Sequence, residues 1–423
     1  MHFIKQNPLK YEVVSIRDLI LLLIKCITVE NNLKIPAQMI ITLYYATNRN
    51  HQGNNRWKPD GYGKNFSSDR NSNLRFGKVE LNVDKKIIDT EYLTKTKHSR
   101  IGDGIGLSAY LTKLAKKQGK IKAYKDITAG GKSDVSIDKL ASTELFKDLK
   151  KVMDEKQDIM INIHGFNVDW WEAVGSAMAL ELMLNRESIH QKNSDKSVTV
   201  FLFSWPSNGE MMKDRAYSSD RQDATDSGIA VARGFLKLRD FLMTLRPKQI
   251  VSKLKLDPSL KECGQELHLL CHSMGNFVFE NALASLKENT NQRSLPRLFK
   301  NIFMCAPDVS DNVLEKSEPM QNAHELCRSL NIYYNRGDVA MYISDYTKGN
   351  SERLGHAGAA RPEHLHNKIY QVDCSNIVGG MTEHSYYLWG SVNEDIVERM
   401  HGVCFEDENR MGELKSRNVF ELS

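Results

Sequence analysis

From Leu140 onward, short apolar runs alternate with longer stretches in which apolar residues recur at helical spacing. The short runs have the length of buried strands, and the longer stretches have the length of helices. The strands predicted in this way are 158–163, 198–205, 267–270, 301–305, 331–334 and 368–372. The predicted helices are 140–156, 170–184, 229–245, 276–287 and 386–400. Strands that alternate with helices predict an α/β fold, with a mostly parallel central sheet covered by helices on both faces.

The pattern is less regular before Leu140. Residues 39–49 (MIITLYYATNR) and 78–85 (KVELNVDK) predict strands, and 107–118 predict a basic helix whose lysines form a solvated face. Residues 50–76 are rich in Asn, Gly, Ser and Arg and have almost no periodicity. They therefore predict a long surface excursion.

The beginning of the sequence predicts a separate helical unit. Ser15 stands three residues before Asp18, at the start of the amphipathic stretch IRDLILLLIKCITVE, and this spacing is typical of a capped helix. We therefore predict an N-terminal helical appendage at 1–38. A single domain then follows at 39–423, with a loop-rich insertion at about 50–135.

The charge and cysteine content of the chain indicate which partners and which cellular compartment to expect. The 423-residue chain has Lys+Arg 58 against Asp+Glu 53, and the resulting charge of +5 is spread along the sequence, so no nucleic-acid partner is implied. The seven cysteines form no Cys-x-x-Cys pair. A disulfide framework and a zinc module are therefore not indicated, and a reducing compartment fits best. The apolar run 19–24 is too short to span a bilayer and lacks a small-residue cleavage site, which predicts a cytoplasmic protein.

The stretch 267–281, LHLLCHSMGNFVFEN, joins an apolar strand to a helix-compatible run, and Ser273 lies at the joint. A serine on such a tight turn forms a nucleophile elbow, in which the next N–H, that of Met274, points to where an oxyanion would form. The usual pattern is Gly-x-Ser-x-Gly. Gly275 keeps the second glycine and Cys271 replaces the first, where only a small side chain fits. The alternative is a serine with a structural role at an ordinary strand-to-helix joint.

A second turn, His164-Gly165-Phe166-Asn167, follows the predicted strand 158–163. The N–H of Phe166 can complete a two-donor oxyanion hole with that of Met274. Alternatively, the segment is only a tight turn in which Gly165 adopts a positive φ and His164 binds a neighbouring loop.

Two nearby features each have two interpretations. Trp170 and Trp171 either line an acyl pocket or anchor a helix to the core. The charged segment that follows Ser207, through Asp226, either caps the pocket as a mobile crossing or is an ordinary solvated connection.

His384, in the sequence Thr-Glu-His-Ser-Tyr-Tyr, is the best candidate for a general base. In an α/β topology of this kind the base follows the last strand, and His384 comes soon after the predicted strand 368–372. His272 is predicted to point away from Ser273 and to be structural. The remaining candidates are poorer bases, and three of them lie in a Gly- and Ala-rich loop that gives little support for a metal site. They are His356, His364, His366 and His401.

Two aspartates compete for the role of the acid. Asp338 follows the strand 331–334 in the turn Asn-Arg-Gly-Asp, from which a carboxylate can reach the second ring nitrogen of a histidine. Asp308 follows the preceding strand, and its alternative role is the N-cap of a helix, as is that of Asp311. The position one strand later favours Asp338.

The order of these motifs resembles that of a little-characterised bacterial branch of the α/β-hydrolases, usually labelled the esterase/lipase superfamily. The resemblance extends over residues 39–400, whereas 1–38 and 50–77 match nothing in that family. The motifs are ITLYYATNR, NIHGFNVDWWEA, FLFSWPS, HLLCHSMGN, CAPDVSDNVL, YYNRGDVAMYIS with a following RLG, and EHSYY.

This resemblance implies an α/β-hydrolase fold and assigns a role to each candidate residue. Ser273 would be the nucleophile, Asp338 the acid and His384 the base, and Phe166 and Met274 would be the oxyanion donors. The family supplies no firm substrate.

Together these patterns predict a serine hydrolase that cleaves carboxyl esters, acts on a small-molecule or lipid ester, and needs no metal or organic cofactor. One alternative is a phospholipase that docks on a membrane through the amphipathic stretch near residues 16–26. The other alternative is a catalytically silent binding or scaffold protein with the same fold. The oligomeric state does not follow from the sequence.

Overall fold

A computed structural model describes the protein at residues 38–97, 100–126, 140–155, 157–187, 197–207, 214–253, 264–290, 294–341, 352–378 and 383–423. The helix predicted in the segment 1–38 lies outside the described residues. Gln38, the last residue of that segment, is the first residue described.

Within the described residues, eleven strands form one β-sheet, and two further pairs of strands form small separate sheets. The strands are β1 (Gln38–Thr47), β2 (Arg49–Gln52), β3 (Gly61–Phe66), β4 (Arg75–Asp84), β5 (Thr96–Lys97), β6 (Arg100–Ile101), β7 (Lys120–Ala123), β8 (Gln157–Ile163), β9 (Ser197–Ser204), β10 (Leu267–His272), β11 (Phe299–Cys305), β12 (Cys327–Tyr334), β13 (Ile369–Asp373), β14 (Gly412–Ser416) and β15 (Val419–Leu422). The order across the large sheet is β14-β15-β13-β12-β11-β10-β8-β9-β1-β4-β7. From β1 through β15 the neighbours run parallel, and the antiparallel pairs β1–β4, β4–β7 and β14–β15 lie at the two edges.

Helices cover both faces of this sheet. They are α1 (Lys85–Ile88), α2 (Gly104–Gln118), α3 (Ala141–Asp154), α4 (Trp170–Leu184), α5 (Asp214–Lys253), α6 (Gly275–Asn289), α7 (Leu354–Ala357) and α8 (Gly390–Met400). Single turns of 3₁₀-helix occur at Ala323–Leu326, Pro362–His364 and Tyr386–Leu388, and a π-helical turn occurs at Asp89–Leu93. None of the described helices is long and apolar enough to cross a membrane.

Two apolar cores lie on opposite faces of the sheet. Along β8, Ile159, Ile161 and Ile163 belong to one core and Met160 to the other, because successive side chains of a strand point to opposite faces. The first core is covered by α3, α5 and α6, and the second by α2, α4 and α8. The predicted α/β fold, mostly parallel with helices on both faces, is confirmed.

The structure differs from the prediction of a long surface excursion at residues 50–76. This segment contains the end of β2, all of β3, and the start of β4. Its anchor is Arg49, whose buried guanidinium donates to the carbonyl of Gly63 at 3.0 Å and to that of Val168 at 2.8 Å. A hydrogen bond to a buried cation helps to hold this segment in place. The hydrophobic pattern of the sequence therefore does not indicate its strands.

The described part of the charged segment after Ser207 is not an ordinary solvated connection, whereas a segment that caps the pocket stays a prediction. Helix α5 begins at Asp214, well before the predicted helix 229–245. Asp220 on this helix is buried and accepts a hydrogen bond from the Ser207 hydroxyl at 2.7 Å. The charges that suggested a solvated connection are therefore partly turned inward, toward the end of β9.

Candidate active site

Ser273 occupies the turn between β10 and α6 in a left-handed conformation, with φ at 52°. A residue with a Cβ reaches this region only at a cost, roughly 1–2 kcal/mol, so the surrounding structure must hold it there. The Ser273 N–H donates to the carbonyl of Cys305 at 3.0 Å. Its own carbonyl accepts from the N–H of Asn276 at 3.0 Å and from that of Asp308 at 3.2 Å. The main chain of the serine is thereby fixed on both sides.

The small residues around Ser273 allow close approach of β8 and α6. A Cβ on Gly275 would lie 2.5 Å from the carbonyl oxygen of Ile163, and a Cβ on Gly165 would lie 2.8 Å from the Cβ of Ser273. Cys271 stands where the first glycine of the elbow pattern is usual. Its side chain is fully buried in the apolar core, and burial raises the pKa of the thiol well above its usual range. Cys271 therefore remains a neutral thiol that fills space beneath the elbow.

We expect Gly275→Ala to destabilise the fold because the added methyl group would meet a backbone carbonyl. A loss of about 1–3 kcal/mol is typical of such overpacking. The matched control is Gly264→Ala, since no atom of the described residues lies within 4 Å of a Cβ at that position. Urea unfolding of both variants measures the difference, and the prediction is contradicted if the two midpoints shift equally.

Asp338 and His384 are brought together at the carboxyl ends of β12 and β13. The Nδ1 atom of His384 lies 2.7 Å from Oδ2 of Asp338. The other carboxylate oxygen of Asp338 accepts from the N–H groups of Ala340 at 3.0 Å and Met341 at 3.3 Å. The aspartate is 1% exposed, so this hydrogen-bonded carboxylate is held in one orientation toward the imidazole. Nδ1–H of His384 is the donor in this arrangement, which leaves Nε2 available as a base.

His272 packs against His384. The two ring centroids are 4.7 Å apart, and Nε2 of His272 lies 3.2 Å from the carbonyl oxygen of His384. Tyr387 covers the His272 ring at 4.9 Å. Burial, followed by the nearby His384, lowers the pKa of His272 well below its usual range. The ring is therefore neutral and donates to the main chain of the histidine beside it, which is a structural contact.

Asp308 is committed to other partners. One carboxylate oxygen accepts from the Tyr217 hydroxyl at 2.6 Å, and the other lies 3.3 Å from Nε of Arg353. Its N–H supports the Ser273 carbonyl, as described above. No helix begins at Asp308 or Asp311 in the described part of this segment, so the N-cap interpretation is wrong. The bridge between Ser310 and Arg353 fixes the chain there instead.

The turn that contains Phe166 is held by a hydrogen-bonded chain through His164. Nδ1 of His164 lies 2.9 Å from the carbonyl oxygen of Gly165, and Nε2 lies 3.1 Å from the Ser204 hydroxyl. Nε of Arg49 donates to the same hydroxyl at 2.9 Å. Burial and the positive charge of Arg49 lower the pKa of His164 to about 3, so this ring is a neutral element of the scaffold. In this turn Asn167, not Gly165, has the positive φ, at 57°.

Sequence reasoning missed Arg49 as part of this scaffold. It is fully buried, and its guanidinium bonds four partners from three segments of the chain. The sequence signal was its position directly after the apolar strand MIITLYYATN. An arginine that ends a buried strand indicates a guanidinium that forms hydrogen bonds inside the protein.

The two predicted oxyanion donors follow β8 and β10, which are parallel neighbours in the sheet. Met274 is buried at the start of α6, and Phe166 is half-buried with its ring 5.5 Å from that of Tyr217. Neither main-chain N–H has an acceptor among the described residues. Both N–H groups therefore stay candidate oxyanion donors.

The tryptophans of α4 serve the core. Trp170 is 2% exposed and packs edge-on against Tyr45 and Tyr62, at 5.0 Å and 4.6 Å between ring centroids. Trp171 lies 3.5 Å from a Cβ built on Gly61 and touches Gly119 in the same way. Both anchor the helix to the core.

The remaining histidines do not form a metal-binding group in the described chain. Nε2 of His356 lies 3.0 Å from the Arg336 carbonyl oxygen, and His366 stacks on His324 at 3.8 Å. Within the described residues no group of three His, Cys, Asp or Glu side chains is arranged to hold a metal ion.

Comparison with known proteins places most of the chain in one family. A model of the family described as "Alpha/beta hydrolase of unknown function (DUF900)" matches residues 138–399. A structure described as "putative cell surface hydrolase from Lactobacillus plantarum WCFS1" is 11% identical, with a TM-score of 0.28, and the match covers 60% of this chain and 93% of that one. Trichoderma reesei cutinase in complex with a C11Y4 phosphonate inhibitor is 13% identical, with a TM-score of 0.23 and coverage of 70% and 96%. No curated protein matches the sequence.

Proposed function

Because the chain belongs to this family of alpha/beta hydrolases, whose model matches the greater part of it, we propose that it is a serine hydrolase that cleaves carboxyl esters. The observation that carries the proposal is the hydrogen bond between Asp338 and His384, formed at the same sheet edge at which Ser273 stands on its strained turn. Carboxylate, imidazole and hydroxyl in this chain order are the components of nucleophilic acyl transfer.

The proposed reaction begins with the Ser273 hydroxyl. As Oγ attacks the acyl carbonyl carbon, His384 Nε2 takes the hydroxyl proton, and the carbonyl oxygen becomes an oxyanion that accepts from the N–H groups of Met274 and Phe166. The tetrahedral intermediate then expels the alcohol, which receives the proton from His384. Water attacks the acyl-enzyme through the same base, so that the carboxylic acid is released and Ser273 is restored.

The surroundings support His384 as the base of this reaction. His164 and His272 are both buried and neutral, and each is bound to protein groups. Asp338 stabilises the imidazolium that forms when His384 takes the proton, since it faces Nδ1 at 2.7 Å.

The two alternative functions stay predictions. Docking of a phospholipase on a membrane was predicted from residues 16–26, which lie outside the described part of the chain. The hydrogen bond between Asp338 and His384 speaks against a catalytically silent scaffold. A binding protein does not require a carboxylate that orients a histidine, whereas a general base does. The cytoplasmic location also stays a prediction.

The proposal predicts hydrolysis of activated esters without added metal or cofactor. Nitrophenyl esters of increasing acyl length, assayed beside phospholipid vesicles, should give nitrophenol release with a preference for one range of chain lengths. Matched nitroanilides and thioesters test whether the ester linkage is the preferred one. A folded protein that cleaves none of these substrates would contradict the proposal, and cleavage of the vesicles alone would support the phospholipase instead.

A further inference from the structure

Two adjoining cavities lie on the α3 and α5 face of the sheet. The first, of about 70 Å³, lies between the sheet and the two helices, and apolar side chains line nearly all of it. Lining residues include Leu145 and Leu149 of α3, Phe235 and Leu238 of α5, and Phe201 and Phe203 of β9. A cavity of this size equals the space of roughly five water molecules, yet it offers them almost no hydrogen-bonding partners. We call it the apolar cavity.

The second cavity, of about 260 Å³, is rich in positive charge. Four cationic side chains and two carboxylates line it, which leaves an excess of two positive charges. Arg56 and Arg75 both bind Asp69, so this carboxylate is shared between two guanidinium groups. The charged residues are Arg56, Arg75, Arg233, Lys237, Asp69 and Asp126. We call it the basic cavity.

The positive excess is concentrated on α5. Arg233 donates to the carbonyl and hydroxyl of Ser72 and to the side-chain oxygen of Asn73, at 3.0–3.2 Å. Lys237 donates to the Ser142 hydroxyl at 3.2 Å. Among the described residues neither cation forms an ion pair with a carboxylate. Both charges are therefore available to an anion that enters the basic cavity.

The two cavities meet along a shared wall. Leu74, Phe76 and Lys237 line both. Lys237 is half-buried, as expected of a side chain that lays its methylene stem along apolar groups and keeps its ammonium in the polar space. An apolar compartment thus opens beside a cationic one, with a single lysine spanning the boundary.

We propose that these cavities together bind a single-chain amphiphile with an anionic head. The alkyl tail occupies the apolar cavity, and the carboxylate or phosphate head lies against Lys237 and Arg233. Ser273 lines neither cavity, so this site is distinct from the proposed nucleophile and does not depend on its chemistry. The volume of about 70 Å³ suits a short tail of about four carbons.

Calorimetric titration of the full-length Ser273→Ala protein tests the site without turnover. Butyl phosphate and butanoate should bind more tightly than butanol, which has no charge, and than inorganic phosphate, which has no tail. A series of alkyl phosphates from methyl to octyl should gain about fourfold in affinity for each added methylene until the cavity is full, and then level off. This series needs no substitution at the site. Butyl phosphate that binds no better than inorganic phosphate would overturn the proposal. The ranking of butanoate against butyl phosphate tells whether a free carboxylic acid or a phosphate ester is the better ligand.

Substitutions then locate the head group. Lys237→Met keeps the apolar stem and removes the charge, and it should weaken the binding of butyl phosphate about tenfold or more while leaving that of butanol within about twofold. The matched control is Arg239→Gln on the same helix, because Arg239 binds Asp240 and lines neither cavity. Equal effects of the two substitutions on the binding of butyl phosphate would place the anion elsewhere and overturn the proposal.

Discussion

Ser273→Ala is expected to abolish turnover of any ester that the wild-type protein cleaves, with kcat reduced by a factor of about 10⁵ or more. Without the hydroxyl no acyl-enzyme forms, and His384 can only activate water at a site shaped for another nucleophile. Stability should change little in comparison. Ser273 is 4% exposed, but its hydrogen bonds to Cys305, Asn276 and Asp308 use main-chain atoms that alanine retains.

A fluorophosphonate probe measures this prediction directly, since it reacts covalently with an activated serine. Wild-type protein should be labelled once, on the peptide that contains Ser273, and Ser273→Ala should not be labelled. The matched control is Ser285→Ala, near the C-terminal end of α6, which should be labelled at the wild-type rate. If the probe leaves folded wild-type protein unmodified, the catalytic role of Ser273 is refuted. A probe that still labels Ser273→Ala identifies a different nucleophile.

The site was more predictable from the sequence than its supports were. Parallel strands end at one edge of a sheet, so Ser273, Asp338 and His384, each soon after an apolar run, can be assigned to the same edge from the sequence alone. The hydrogen bond between Asp338 and His384 agrees with that placement.

The parts that could not be predicted are held together by polar contacts across long sequence separations. The hydrogen bonds of Arg49 to Ser204 and Val168 join residues more than a hundred positions apart, and no local period encodes them. The early part of α5 was missed for a related reason: Asp220 faces inward to Ser207, so the helix does not separate its apolar and charged faces cleanly. The exposed edge strand β14 has no buried residue and thus no hydrophobic pattern at all.

The second large effect on kcat is expected from the aspartate that acts as the acid of the triad, Asp338 or Asp308. Asp338→Asn should lower kcat by about 10⁴, because an amide no longer favours the His384 tautomer with a proton on Nδ1 and no longer stabilises the imidazolium. Asp308→Asn should lower kcat by about tenfold or less. The Asp308 N–H that supports Ser273 is unchanged by this substitution, and the amide oxygen can still accept from Tyr217. The cost of Asp308→Asn falls mainly on its contact with Arg353, and therefore on stability.

Saturation kinetics with one nitrophenyl ester, together with urea unfolding of both variants, separates these effects. Asp338→Asn should keep a near-wild-type unfolding midpoint and lose kcat with little change in KM, since its carboxylate acts on the histidine and not on the bound ester. Asp308→Asn should show the reverse balance, with a lowered midpoint and most of its kcat retained. The hydrogen-bond geometry makes this ranking specific: the 2.7 Å contact with His384 belongs to Asp338, and Asp308 directs its two oxygens to Tyr217 and Arg353. A larger loss of kcat in Asp308→Asn would transfer the role of the acid to Asp308, and would require the chain to bring His384 to it by a rearrangement of the β12–β13 end of the sheet.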